Sequence, residues 1–143
     1  MVTDMAVNTQ FSIAVHILAG LGYRGHHETT SAALAQSVNA SPSFVRRILS
    51  KLSKAGLVKT ATGPSGSCWL AREPKDISLL EIYRAVEAPK AFAIHRYTAQ
   101  KKCPVSCQIK SALDHVLGKT QQSLEDRLAG ITVAEVLADI HAG

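Results

Sequence analysis

The chain is short of several things, and each shortage excludes something. No apolar run among its 143 residues approaches the ~20 needed to span a bilayer. Its start, MVTDMAVNTQF, lacks the basic-then-apolar order of a secretory signal, so a cytoplasmic chain without a membrane partner is expected. Three cysteines are too few for the disulfide framework of a small secreted fold, which leaves them as buried, metal-binding or redox-reactive thiols. Aromatics make up only 5%, so the core must come from Ala, Val, Ile and Leu. A Ser/His/Asp order, GxGxxG, a phosphate loop and HExxH are all missing, and no enzymatic activity is expected. What remains, 46% hydrophobic residues and a mean hydropathy of +0.07, fits one compact domain or a small domain with a helical extension.

The most informative shortage is of acidic residues. Between Glu28 and Glu73 there is no carboxylate, while Arg46, Arg47, Lys51, Lys54, Lys59 and Arg72 fall in that stretch. The net charge of +5 belongs entirely to residues 1–72, because the rest of the chain carries nine basic and nine acidic side chains. Such a segment either faces a polyanion or is simply a solvated basic face.

Periodicity supplies the organisation. Residues 8–21 place Phe11, Ala14, Val15, Leu18 and Leu21 on one helical stripe, ended by Gly22 and Gly25. Thr30 or Ser31 can cap a short second helix carrying Leu34, Ala35 and Val38. After the turn at 39–41, Ser41 and Pro42 read as cap and first position of a third helix with Val45, Ile48, Leu49 and Leu52 inward, closed by Gly56. Two strand-like runs, 57–61 and 68–71, flank a Gly/Pro/Ser turn and signal a hairpin. Helix, short helix, turn, helix, hairpin is the order of a winged helix-turn-helix.

Further on, Ser78 and Glu81 form a capping box for a helix with Leu79, Ile82, Tyr83 and Val86, which Pro89 closes. An irregular basic connection follows over 90–102. Pro104 then opens a long helix bearing Val105, Ile109, Leu113, Val116, Leu117, Leu124 and Leu128, interrupted by Gly118 and stopped by Gly130. Thr132 and Glu135 box a last helix with Val136, Leu137 and Ile140 inward. The fold class is therefore mainly α with a small β-hairpin: a winged helix-turn-helix domain over 1–72, and a helical dimerisation and sensing region over 73–143 with a long dimerisation helix. About 25 residues of helix span about 37 Å, more than the small domain's own core requires, so packing against a second copy, a homodimer, is expected.

The third helix carries the candidate chemistry. Ser41 and Ser43 sit at its N-terminus, where unpaired backbone N–H groups can hold a phosphate. Phe44 can meet a thymine methyl, and Arg46 and Arg47 can fork onto guanine or phosphate. Lys51 and Lys54 suit phosphate contacts. Gly63, Ser65, Gly66 and Ser67 allow a close approach of the hairpin to the backbone. Cys103 and Cys107, four apart at the start of the long helix, could bind metal, form a redox pair or lie inert, while Cys68 reads as a small core residue. His16 reads as a packed or edge side chain, and His26-His27 as a solvated loop pair.

Taken in order, Asn8-Thr9-Gln10-Phe11, Ala14-Val15-His16-Ile17-Leu18, Ser41-x-Ser43-Phe44-Val45, Ala55-Gly56-Leu57-Val58, Gly63-Pro64-Ser65-Gly66, Cys103-Pro104-Val105 and Ile131-Thr132-Val133-x-Glu135 resemble the Rrf-two family of bacterial transcriptional regulators. The resemblance covers nearly the whole chain. It implies a dimeric winged-helix protein that binds double-stranded DNA, and a repressor is expected. DNA contacts are implied from Ser41, Ser43, Phe44, Arg46 and Arg47, from the wing around Gly63 to Ser67, and near Thr9 and Gln10. The family's wing has an Arg before the first Gly and a later Gly-Gly-Tyr; here Thr62 and Gly66-Ser67-Cys68 stand there, implying a weaker or different grip. Cluster-binding members carry three cysteines before the long helix. Cys107 matches the last, Cys103 is too close to be the second and the first is absent, so no cofactor is expected and an iron–sulfur cluster is disfavoured. The expected signal is an oxidant or electrophile acting at Cys103 or Cys107, or a small-molecule effector at the dimer interface. A winged-helix protein-interaction adaptor without specific DNA binding is the alternative of a different class.

Overall fold

The structure, a computed structural model, describes residues 8–25, 29–61 and 66–143. The elements are α1 (Gln10–Tyr23), β1 (Thr29–Thr30), α2 (Ser31–Val38), α3 (Pro42–Lys54), β2 (Val58–Thr60), β3 (Ser67–Leu70), a 3-10 turn (Pro74–Asp76), α4 (Leu79–Ala85), α5 (Pro104–Ala129) and α6 (Val133–Ala142). This is a winged helix: a mainly helical chain with one small antiparallel sheet of order β1-β3-β2.

Local chemistry fixes most boundaries. The Thr30 hydroxyl caps α2 by accepting from the Ala33 N–H at 3.1 Å, and Ser41 caps α3 by accepting from the Phe44 N–H at 3.3 Å. The turn between these helices closes on Asn39, whose φ of 57° is tolerated by its short polar side chain. Gly56 ends α3 with φ +77°, where its N–H meets the Ser53 carbonyl and the Leu57 N–H reaches back to Leu52. Both capping boxes form, Ser78 with Glu81 and Thr132 with Glu135.

Packing separates the chain into two compact units, one spanning Met1–Ala88 and Leu128–Gly143, the other Pro89–Arg127. These limits differ from the charge boundary at residue 72, because the first unit's core takes Ile82 and Val86 near α4 and Val133 and Leu137 from α6 as well as the α1–α3 stripes. In this core unit Ala14, Ile17 and Leu18 of α1 and Val45, Ile48, Leu49 and Leu52 of α3 are all buried.

Several expectations need correction here. Gly22 does not end α1 but lies within it; a methyl there would come within 2.8 Å of the end of the Leu137 side chain of α6, so glycine suits this close approach. Ile17 is fully buried where the stripe assigned no residue, and Phe11 and Val15 are only half-buried. The hairpin has a third strand: Thr29 and Thr30 pair with Cys68 and Ser67. α4 stops at Ala85, with Glu87 in a left-handed conformation (φ 53°), before Pro89 is reached. Ile140 is 49% exposed rather than inward.

The helical unit is built differently. Its 89–102 strap has no helix or strand and is tied to α5 by polar groups. The Ala91 N–H donates to Gln121 Oε1 at 2.9 Å, Tyr97 donates to the Ser106 carbonyl at 2.6 Å, and the Gln100 N–H donates to Ser106 Oγ at 2.8 Å. α5 runs 26 residues straight through Gly118, and Gln121 is its one buried residue.

Candidate nucleic-acid interface

α3 presents its functional side chains because its apolar stripe holds the opposite face inward. With Val45, Ile48, Leu49 and Leu52 buried, Ser41, Ser43, Arg46, Arg47, Ser50 and Lys54 all remain exposed. Helical spacing sorts them into two rows four residues apart: Ser43, Arg47 and Lys51, and beside it Arg46, Ser50 and Lys54.

The first row is braced from α1. Lys51 Nζ donates to Gln10 Oε1 at 3.1 Å, so Gln10 steadies a cation here. The Arg47 guanidinium lies 5.3 Å from the centroid of the Phe44 ring, a cation–π arrangement. Phe44 itself is half-buried against the core, which makes it a support for Arg47 as much as a surface group. The hydroxyls of Ser41 and Ser43 are 3.4 Å apart at the helix start. Thr9 is exposed just before α1 and holds no cap through its side chain.

The second row faces the hairpin. Arg46, Ser50 and Lys54 share a groove of about 330 Å³ with Thr60, Ala61 and Gly66, whose walls are α3 on one side and the hairpin base on the other. Gly66 adopts φ +56° and its carbonyl accepts from the Ser31 N–H at 3.2 Å. Ser67 is buried in β3, 6% exposed, and does not share the surface expected of it. Gly63 and Ser65 lie outside the described residues. Ser50 and Thr60 went unremarked in the sequence, although the four-residue spacing from Arg46 would have found Ser50.

The cysteines divide. Cys68 is fully buried, its thiol donates to the Thr29 carbonyl at 3.2 Å, and burial pushes its pKa up to about 11. Cys103 and Cys107 are exposed. Cys103 Sγ accepts from the Ser106 N–H at 3.4 Å, capping α5, and the Cys107 thiol donates to the Gln100 carbonyl at 3.4 Å. Among the described residues no group of three or more His, Cys, Asp or Glu is placed to hold a metal ion.

Residues 7–139 match the family model Rrf2, described as iron-dependent transcriptional regulator. The chain belongs to the Rrf2 (Rrf-two) family. It is 37% identical over 132 residues to YwnA of Bacillus subtilis, named for an HTH-type transcriptional regulator, covering 92% of this chain and 96% of YwnA. It is 30% identical over 133 residues to the HTH-type transcriptional regulator CymR of the same organism, covering 92% and 94%. The solved structure of T. potens IscR superimposes with a TM-score of 0.68 at 26% identity, covering 96% of this chain and 90% of that one. The protein is thus a DNA-binding transcriptional regulator of the Rrf2 family with a winged-helix fold.

The family description names iron, and the described side chains do not suit it. A structural or cluster site takes three or four ligands, whereas one chain offers two exposed thiols in a single turn while Cys68 is committed to the sheet. Among the described residues no helix is long and apolar enough to cross a membrane.

Proposed function

We propose that this Rrf2 protein binds a specific DNA duplex as a homodimer, represses the promoter it occupies, and responds to chemical modification of Cys103 and Cys107. The observation that carries the reading is the double row on α3. Serine hydroxyls and helix N–H groups stand at its entry, two arginines follow, and lysines lie further along, all in a stretch without a carboxylate. A helix of this kind fits a major groove, with Arg46 and Arg47 reading guanine or phosphate and Lys51 and Lys54 meeting the backbone. Thr9 lies at the start of α1, whose Gln10 holds Lys51 in place, and the hairpin flanks the groove beside Arg46.

Dimerisation is supported by α5. Val105 and Val116 are 67% and 56% exposed. They stand eleven positions apart and so on one face. An isologous contact there would pair two α3 helices, as a short half-site requires for affinity. A dimer seated on a promoter obstructs it, hence repression. Thiol control is supported by the exposure of Cys103 and Cys107 beside Lys101 and Lys102. A peroxide would transfer one oxygen to the sulfur, forming a sulfenic acid as water leaves.

Fluorescence anisotropy on DNA from upstream of its own gene, against a scrambled duplex and across a salt series, tests the reading. Preference for the native fragment with affinity falling steeply as salt rises is the expected result. Equal binding to both duplexes would reduce the face to phosphate attraction, and no binding at low salt would favour a protein-interaction adaptor.

A further inference from the structure

The helical unit contains a groove of about 550 Å³ between the 89–102 strap and α5 that DNA binding does not use. Its size is that of a small-molecule site. The floor is apolar: Phe92 and Leu117, with the bare backbone of Gly118 between helical turns. A Cβ on Gly118 would meet nothing within 4 Å, so the only glycine inside this 26-residue helix leaves open room where any other residue would intrude. The rim is cationic. Lys90, Arg96 and Lys110 line it against one carboxylate, Asp114, which Lys110 already engages at 2.9 Å. The strap is held in place over α5 by the buried Gln121 amide, which accepts from the Ala91 N–H.

We propose that this groove binds a small organic acid with an aromatic or apolar body, the body lying on Phe92, Leu117 and Gly118 and the acid group meeting Lys90 and Arg96. Inorganic phosphate would leave the floor without a partner, and a neutral hydrocarbon would leave the cations unanswered. A second copy of the chain is not the expected occupant. The groove uses Lys110, Asp114, Leu117 and Gln121, one side of α5, whereas the exposed Val105 and Val116 point to the opposite side, about half a turn away. This site goes beyond the function proposed above. It needs neither DNA binding nor the cysteines, so its failure and theirs are separately visible.

The test uses the full chain and two fluorescent probes of similar shape, 8-anilinonaphthalene-1-sulfonate, which is anionic, and N-phenyl-1-naphthylamine, which is neutral. The sulfonate should bind saturably at one site per chain and more tightly than the neutral probe. Gly118→Leu fills the open room while raising helix propensity, and should weaken both probes by about tenfold or more with the circular dichroism unchanged. Lys90→Gln with Arg96→Gln should weaken the sulfonate about fivefold and leave the neutral probe within about twofold. Sulfonate binding that never saturates, that survives Gly118→Leu, or that ignores the loss of both cations would overturn the proposal. So would a change of oligomeric state by Gly118→Leu in sedimentation velocity, which would make the groove a contact between copies.

Discussion

The core unit and the helical unit were written with the same alphabet of Ala, Val, Ile and Leu, yet they treat it in opposite ways. In the core unit the stripes of α1 and α3 and the groups around α4 and α6 converge on one cluster, with Ile17, Leu52, Ile82 and Val133 at zero exposure. In the helical unit α5 buries only Gln121 and leaves Val105 and Val116 in the open. A repeating apolar pattern therefore says that a face wants covering without saying whether the cover lies in the same chain. Where the cover is internal, the side chains set stability; where it is not, they are available for association.

The largest effects should separate the two units. Leu52→Ala removes a fully buried side chain and should cost about 2–5 kcal/mol of unfolding free energy, measured by urea titration. Val105→Ala should stay within about 0.5 kcal/mol in a monomeric preparation, being a surface change. The reverse holds for association: Val105→Glu with Val116→Glu should weaken dimerisation at least about a hundredfold, since like charges would be buried in pairs, while leaving the core unit's melting in place. Equal behaviour of the two units in these assays would erase the contrast.

A smaller effect concerns the α3 rows. Arg46→Ala or Arg47→Ala should each cost about tenfold in DNA affinity. A phosphate-contacting arginine would also lower the salt slope by about one, and a base-reading one would relax sequence preference instead. Anisotropy over a salt series on matched and scrambled duplexes distinguishes the two roles.

Of the fold, the winged order, the caps and the α3 stripe were legible because each rests on local chemistry: a serine before a proline, a glycine after the last stripe residue, Ser and Glu three apart. The α1–α6 approach was not, since Gly22 looks like a helix end until Leu137, more than a hundred positions on, arrives beside it. β1 was missed for a related reason; two threonines carry no strand pattern, and only pairing with Ser67 and Cys68 makes them one. In the candidate site Arg46, Arg47 and Lys51 were readable from the charge gap. The buried position of Ser67 was not, because a hydroxyl in a Gly/Ser turn looks exposed until the register of β3 turns it inward.

The smallest effects are those of pH. The Glu81 carboxyl feels burial, which raises its pKa, but the Ser78 N–H and the Arg72 guanidinium, 2.7 Å away, together hold it below its ordinary value of 4.5. A lowered folded pKa gives stability that is complete above the unfolded value and is lost as pH falls through the folded one. Glu81→Gln should therefore flatten part of the acid limb of a melting-temperature profile, modestly because the pair is partly exposed. Cys68 acts at the other end. Its folded pKa of about 11 lies above the ordinary thiol value of 9.0, so its contribution is present below about pH 9 and is lost between there and 11. At neutral pH iodoacetamide should label Cys103 and Cys107 and spare Cys68 until the chain unfolds, as mass spectrometry of the alkylated peptides would report.

In the proposed function the exposed α5 face pairs two chains so that two α3 helices read one site. Native mass spectrometry of the protein on DNA from upstream of its own gene tests it in one measurement. Two chains per duplex are expected, with that species lost in the Val105→Glu, Val116→Glu protein. One chain per duplex at undiminished affinity, in the wild type or in that variant, would contradict it.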